Sequence, residues 1–89
     1  MMNIDYLMPI AIGKNLRNLR INFGYSQQEI SYMLDVTQTT YSKWESDLKT
    51  PTIRNIIKAS QFFKVPLEDI IFDDYLLKKM DEQASTLSS

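Results

Sequence analysis

Five of the eight residues in the run QTTYSKWE, residues 38–45, are non-aromatic side chains with amide, hydroxyl or amine groups: Gln38, Thr39, Thr40, Ser42 and Lys43. The large apolar residues of the run, Tyr41 and Trp44, stand three apart, which on a helix makes one narrow stripe to hold it and leaves the rest outward. Gln38, Thr39 and Lys43 then fall about one turn apart on the outward face. A glutamine suits a bidentate bond to adenine, a lysine reaches guanine or a phosphate, and a threonine offers a hydroxyl or contact with a thymine methyl. Composition alone favours a merely solvated surface over a reading one. The arrangement around the helix decides between them.

The preceding run, residues 26–35, reads as a supporting helix. Ser26 is placed to cap free backbone N–H groups and Glu29, three residues on, to reach back in a capping box, with Tyr25 and Ile30 spaced as a staple around it. Ile30, Met33 and Leu34 at i, i+3 and i+4 predict one packed face, with Gln27, Gln28 and Tyr32 nearer the outside. Asp35 tolerates a left-handed backbone better than most residues, and Thr37 is placed to cap the next helix. A scaffold helix, a tight turn and a polar-faced helix form the arrangement whose second helix enters the DNA major groove N-terminus first.

Three further runs, IGKNLRNLR, GYSQQEISYMLDVTQTTYSKWESDLKTP and VPLEDIIF, extend this pattern over residues 12–72. Together they resemble the lambda-repressor and Cro type of DNA-binding domain, also called the xenobiotic-response-element family. The shared features are the Ser-Gln start, the apolar positions Ile30, Leu34, Val36, Tyr41 and Trp44, the Trp-Glu pair, Pro51 and the late Val-Pro-Leu-Glu-Asp segment. The resemblance implies an all-α, compact five-helix fold. It also implies that Arg20 pairs with Glu45 to brace the first helix against the reading helix, that Gln27 meets a phosphate, and that Lys49 and Thr50 stand near the DNA backbone. Family members usually carry glycine where this chain has Asp35 and Asp47, and both positions are expected to be left-handed.

The composition narrows the function classes. The 89 residues suffice for one domain, and 44% hydrophobic residues suffice for a core. There is no cysteine and no histidine, which removes disulfides, thiolate sites, the commonest metal ligand and the commonest general base. No cofactor or metal is expected, and no enzyme. Asp73 and Asp74 read as a solvated acidic loop rather than a magnesium site. No apolar run reaches the roughly 18 residues needed to span a bilayer, and no secretory signal is evident, so a cytoplasmic protein is expected. The formal net charge is −1, but residues 13–64 hold eight basic against four acidic side chains, a net of +4, while the tail is acidic. A basic middle fits a nucleic-acid face.

The expected organisation is an N-terminal extension at residues 1–11, the helix-turn-helix domain at residues 12–72 and an acidic C-terminal segment at residues 73–89. The apolar extension either folds back onto the core or helps to pair two subunits, and Pro9 suits the first turn of the helix that follows. That helix runs from Ile10 or Ile12 to Phe23, with Ile12, Leu16, Leu19 and Phe23 along one side and Gly24 as its C-cap. Arg17 is read as a phosphate contact or a solvated side chain, as are Gln27 and Lys49, and Thr37 and Thr40 as phosphate partners. Thr52 caps a helix whose Ile53, Ile56, Ile57 and Phe63 face the core, and Pro66 opens a last helix. Leu77, Met80, Ala84 and Leu87 are spaced either for a sixth, partner-facing helix or within a frayed tail.

The function that follows is sequence-specific binding of double-stranded DNA as a homodimer on an inverted-repeat operator, most often for repression. Gln38, Thr39 and Lys43 would read bases. The alternatives are an antitoxin or mobile-element regulator whose C-terminal segment binds another protein, and a protein-interaction module without DNA binding.

Overall fold

The computed structural model of the chain describes residues 10–73. Within them lie five helices: α1 (Ile12–Asn22), α2 (Gln27–Met33), α3 (Gln38–Glu45), α4 (Ile53–Phe63) and α5 (Leu67–Ile71). The expected all-α, five-helix fold is therefore present. The N-terminal extension up to Pro9, and the sixth helix and partner segment expected beyond Asp73, lie outside the described residues.

The starts of the middle three helices follow from side-chain capping. Ser26 Oγ accepts from the Glu29 N–H at 3.0 Å while Glu29 Oε1 accepts from the Ser26 N–H at 2.9 Å, completing the capping box. That second bond, from the Ser26 backbone, is also the main reason the Glu29 carboxyl lies below its ordinary range. Thr37 caps α3 and Thr52 caps α4 in the same way, through the N–H groups of Thr40 and Asn55.

The ends of four helices share one closure. Gly24, Asp35, Asp47 and Lys64 all adopt left-handed backbone, with φ of 81°, 58°, 60° and 57°. In each case the next N–H bonds back to a carbonyl in the last turn: Tyr25 to Arg20, Val36 to Ser31, Leu48 to Lys43 and Val65 to Ser60. This satisfies carbonyls that the helix end would otherwise orphan. Both aspartates take the conformation expected of them. Lys64 gave no such signal in the sequence.

The core comprises Leu16, Ile30, Leu34, Tyr41, Trp44, Ile56, Ala59, Phe63 and Ile70. α1 packs on α3 and α5, α2 on α3, and α4 on α5. Three assignments made from helical spacing are corrected. Met33 is 51% exposed, and the small Ser31 is buried in the packed stripe instead, its hydroxyl satisfied by the Gln28 carbonyl at 2.8 Å. On α4, Ile53 and Ile57 are 62% and 40% exposed, because the buried line runs through Ile56, Ala59 and Phe63 and leaves the other two on one flank. Phe23 is half exposed, yet its ring meets Phe63 edge-on at 5.1 Å.

Two contacts set how α1 sits. Asn15 Nδ2 donates to the Ile70 and Phe72 carbonyls at 2.9 and 2.7 Å, while Ile10 and Phe72 form an antiparallel bridge, so the two ends of the domain are tied together. At the other contact Gly13 is buried beneath the end of α3. A Cβ there would lie 2.6 Å from the Trp44 carbonyl oxygen and from Asp47 Oδ1. Only a residue without a side chain lets the two backbones approach so closely.

Gly13→Ala should therefore lose about 1–3 kcal/mol in urea denaturation, although alanine is the better helix former by about 1 kcal/mol. An unchanged midpoint would mean that the α1–α3 spacing is not fixed by Gly13. Lys64→Gly should raise stability by about 0.5–1 kcal/mol, since glycine relieves the left-handed conformation.

Candidate nucleic-acid interface

Tyr41 and Trp44 are buried and their rings meet edge-on at 5.8 Å, which locks one side of α3 into the core. That fixes the rotation of α3 and turns Gln38, Thr39 and Lys43 to solvent, all three exposed. They line one shallow groove together with Gln27, from the first turn of α2, and Ser42. A neighbouring hollow is lined by Arg17, Arg20, Gln27, Ser42, Glu45 and Ser46. Four of the expected contact residues thus come together in one groove, with Arg17 beside it. Lys49 stands apart, in a hollow with Trp44, Asp47, Thr50 and Pro51.

Thr37 and Thr40 are bonded to each other. Thr37 Oγ1 accepts from the Thr40 N–H at 3.1 Å and donates to Thr40 Oγ1 at 2.8 Å. The donor left over for any ligand is the Thr40 hydroxyl.

Behind the groove lies a network that spans three helices. Arg20 Nε and Nη2 donate to Glu45 Oε2 and Oε1 at 2.6 and 3.1 Å, and Arg20 Nη1 donates to the Tyr25 carbonyl at 2.9 Å. The side chains are only 14% and 5% exposed, so this is a shielded bidentate pair. Gln27 Nε2 adds a third bond to Glu45 Oε1 at 3.0 Å. The sequence alone leaves Gln27 to a phosphate or to solvent and gives no sign of this link. Nor does it mark Ser42 as a groove residue, since neither is visible before α2 and α3 are set side by side.

Burial is the strongest single influence on Glu45 and disfavours its charged form. Hydrogen bonds from Arg20, Tyr41 and Gln27, with the charge of Arg20, together outweigh burial and hold the carboxyl below its usual range. The bond to Glu45 in turn raises the pKa of Arg20. Burial, supplemented by Glu45, pushes the Tyr41 phenol well above its ordinary value. Among the described residues no group of three or more potential metal ligands is found, and no helix is long and apolar enough to cross a membrane.

A lowered Glu45 pKa means that its stabilisation is fully present above the unfolded value, about 4.3, and is lost as pH falls through the folded value. Wild type should thus exceed Glu45→Gln in urea midpoint at pH 7, and the gap should close as the pH is taken below about 4. A gap that did not narrow at all on acidification would show that the charge of Glu45 is not what holds the helices. Arg20→Ala should cost on the order of 3 kcal/mol, because it leaves a buried carboxylate without its cation.

Comparison with known proteins agrees with this geometry. The family described as "Helix-turn-helix domain" matches residues 13–82. The chain is 27% identical over 70 residues to the HTH-type transcriptional regulator ImmR of Bacillus subtilis, covering 79% of this chain and 55% of that protein. It is 26% identical over 58 residues to RstR, the cryptic phage CTXphi transcriptional repressor of Vibrio cholerae, covering 65% of this chain and 52% of that protein. The chain thus spans about half the length of these two relatives, and an activator also matches alongside the repressor. Among solved structures, the Bacillus subtilis biofilm master regulator SinR in complex with DNA aligns with a TM-score of 0.63 at 28% identity, over 67% of this chain and 97% of that one. With the helix-turn-helix geometry and a family match over most of its length, this chain belongs to the helix-turn-helix domain family and has the fold of the lambda-repressor and Cro type.

Proposed function

We propose that the protein is a cytoplasmic transcriptional regulator that binds double-stranded DNA as a homodimer on an inverted-repeat operator and represses by occupying it. The observation that carries this reading is the convergence of Gln38, Thr39 and Lys43, all exposed, in one groove with Gln27, on a helix whose opposite side is locked by Tyr41 and Trp44. In this reading Gln38, Thr39 and Lys43 read base edges, while Gln27, Thr37, Thr40, Lys49 and Arg17 set the register on phosphates. Thr37 would act chiefly through Thr40, whose hydroxyl it holds. The net +4 of residues 13–64 supplies the long-range attraction. Support also comes from the similarity to SinR, which was solved with DNA. Two-fold symmetry would place the half-sites about one helical turn, roughly 34 Å, apart.

A second reading adds a protein partner at the acidic C-terminal segment, as in an antitoxin or mobile-element regulator. It is favoured by the similarity to a phage repressor and by the charge division along the chain.

In vitro selection from random duplexes should enrich an inverted repeat, and binding to it should weaken steeply with salt. No enrichment by folded protein would move the weight to a protein-interaction role. On the selected site, Lys43→Ala should lose about 1–3 kcal/mol if it reads a base, and an equal loss on every sequence would make it a phosphate contact. A reporter driven from a promoter carrying the site should fall when the protein is supplied; a rise would contradict repression.

A further inference from the structure

The outward face of α3 holds one polar side chain that reading by Gln38, Thr39 and Lys43 leaves unused. At about 100° per residue, Ser42 falls between Gln38 on one side and Thr39 and Lys43 on the other. It is half-buried, and its backbone carbonyl accepts from Ser46 Oγ at 3.0 Å. Its own hydroxyl makes no hydrogen bond among the described residues and so is free to donate. Ser42 and Gln27 are the two residues shared by both hollows, the groove with the reading side chains and the hollow with Arg17.

The contents of the second hollow favour an anion. Arg17 is exposed on α1 and forms no ion pair among the described residues, so its charge is available. The Glu45 carboxylate also lines the hollow, but Arg20 and Gln27 already bind both of its oxygens. Gln27 keeps a second amide hydrogen and its oxygen. A serine hydroxyl stands close to its helix, so whatever it touches must lie against the helix surface, nearer than the ends of Gln38 or Lys43 can reach. Serine and threonine hydroxyls are among the groups that bond phosphate oxygens, and a strand backbone running along the groove wall would pass within reach of one held so close to the helix.

We infer that Ser42 is a phosphate contact: its hydroxyl, with Gln27 and Arg17, holds one DNA backbone phosphate in the hollow beside α3, and so sets the depth at which the reading helix sits. This rests on the DNA-binding reading above. Ser42 donates to a non-bridging oxygen, Arg17 supplies the countercharge, and Gln27 links the same phosphate to the Glu45 network.

The test compares wild type, Ser42→Ala, Ser42→Thr and Arg17→Ala on the selected operator and on an unrelated duplex of equal length, at several salt concentrations. Ser42→Ala should bind both duplexes about 10-fold more weakly, the value of one hydrogen bond to a charged group, with their affinity ratio unchanged. Its salt slope should match wild type, because a neutral hydroxyl displaces no counterion, whereas Arg17→Ala should lower the slope by about one. Ser42→Thr retains the hydroxyl and should recover most of the affinity. Alanine is tolerated in a helix, and equal melting temperatures for wild type and Ser42→Ala would separate binding from folding. A loss confined to the operator would make Ser42 a base reader and overturn the inference, as would no loss on either duplex. Wild type failing to bind any duplex would sink the operator reading itself, and this inference with it.

Discussion

The shielded pair between Arg20 and Glu45 is the constraint on which the arrangement of the reading helix depends. α1, α2 and α3 each contribute one member of its network, through Arg20, Gln27 and Glu45. A planar guanidinium meeting a carboxylate by two bonds fixes angle as well as distance, so the pair specifies how α3 crosses α1. Such a pair is a poor source of net stability, since both groups are taken out of water. Its value is geometric. Gln38, Thr39 and Lys43 are useful only if α3 keeps a single tilt and rotation, and the rotation is held from the other side by Tyr41 and Trp44.

Close approach of backbones is the second requirement. Gly13 lies under the C-terminal end of α3, where any side chain would collide with main-chain oxygens. Each of the four left-handed closures turns the chain within a few residues and bonds the last turn of its helix, so the connections between helices stay short. Three of those closures use Asp or Lys in place of glycine, accepting some backbone strain at each. At Asp35 and Asp47 the same geometry therefore survives without the glycines that family members usually place there.

The candidate site combines side chains left free at the surface with side chains tied to the framework. Gln38, Thr39 and Lys43 stand exposed on α3, while Gln27 is tied to Glu45 and the Thr40 hydroxyl to Thr37. In the proposed reading the first group would discriminate bases and the second would locate the strand. The network behind Gln27 connects a surface that would meet phosphate to the core.

The local features of this chain were decided by its sequence. The capping box at Ser26 and Glu29, the caps at Thr37 and Thr52, the left-handed Asp35 and the single apolar stripe of Tyr41 and Trp44 all depend on residues within a few positions of one another. Local chemistry therefore suffices to read them. The outward placement of Gln38, Thr39 and Lys43 follows from the same stripe. Periodicity could not say which of several apolar residues on a helix is covered, because that depends on where the neighbouring helix lies: Met33, Ile53 and Ile57 fit the pattern and stay exposed, whereas Ser31 and Ala59 are buried. Only the tertiary structure decided the link from Gln27 to Glu45, the position of Ser42 between two hollows, the glycine contact at Gly13 and the tie from Asn15 to the end of α5. Each joins residues that are distant in sequence, and such contacts exist only once the helices have been brought together.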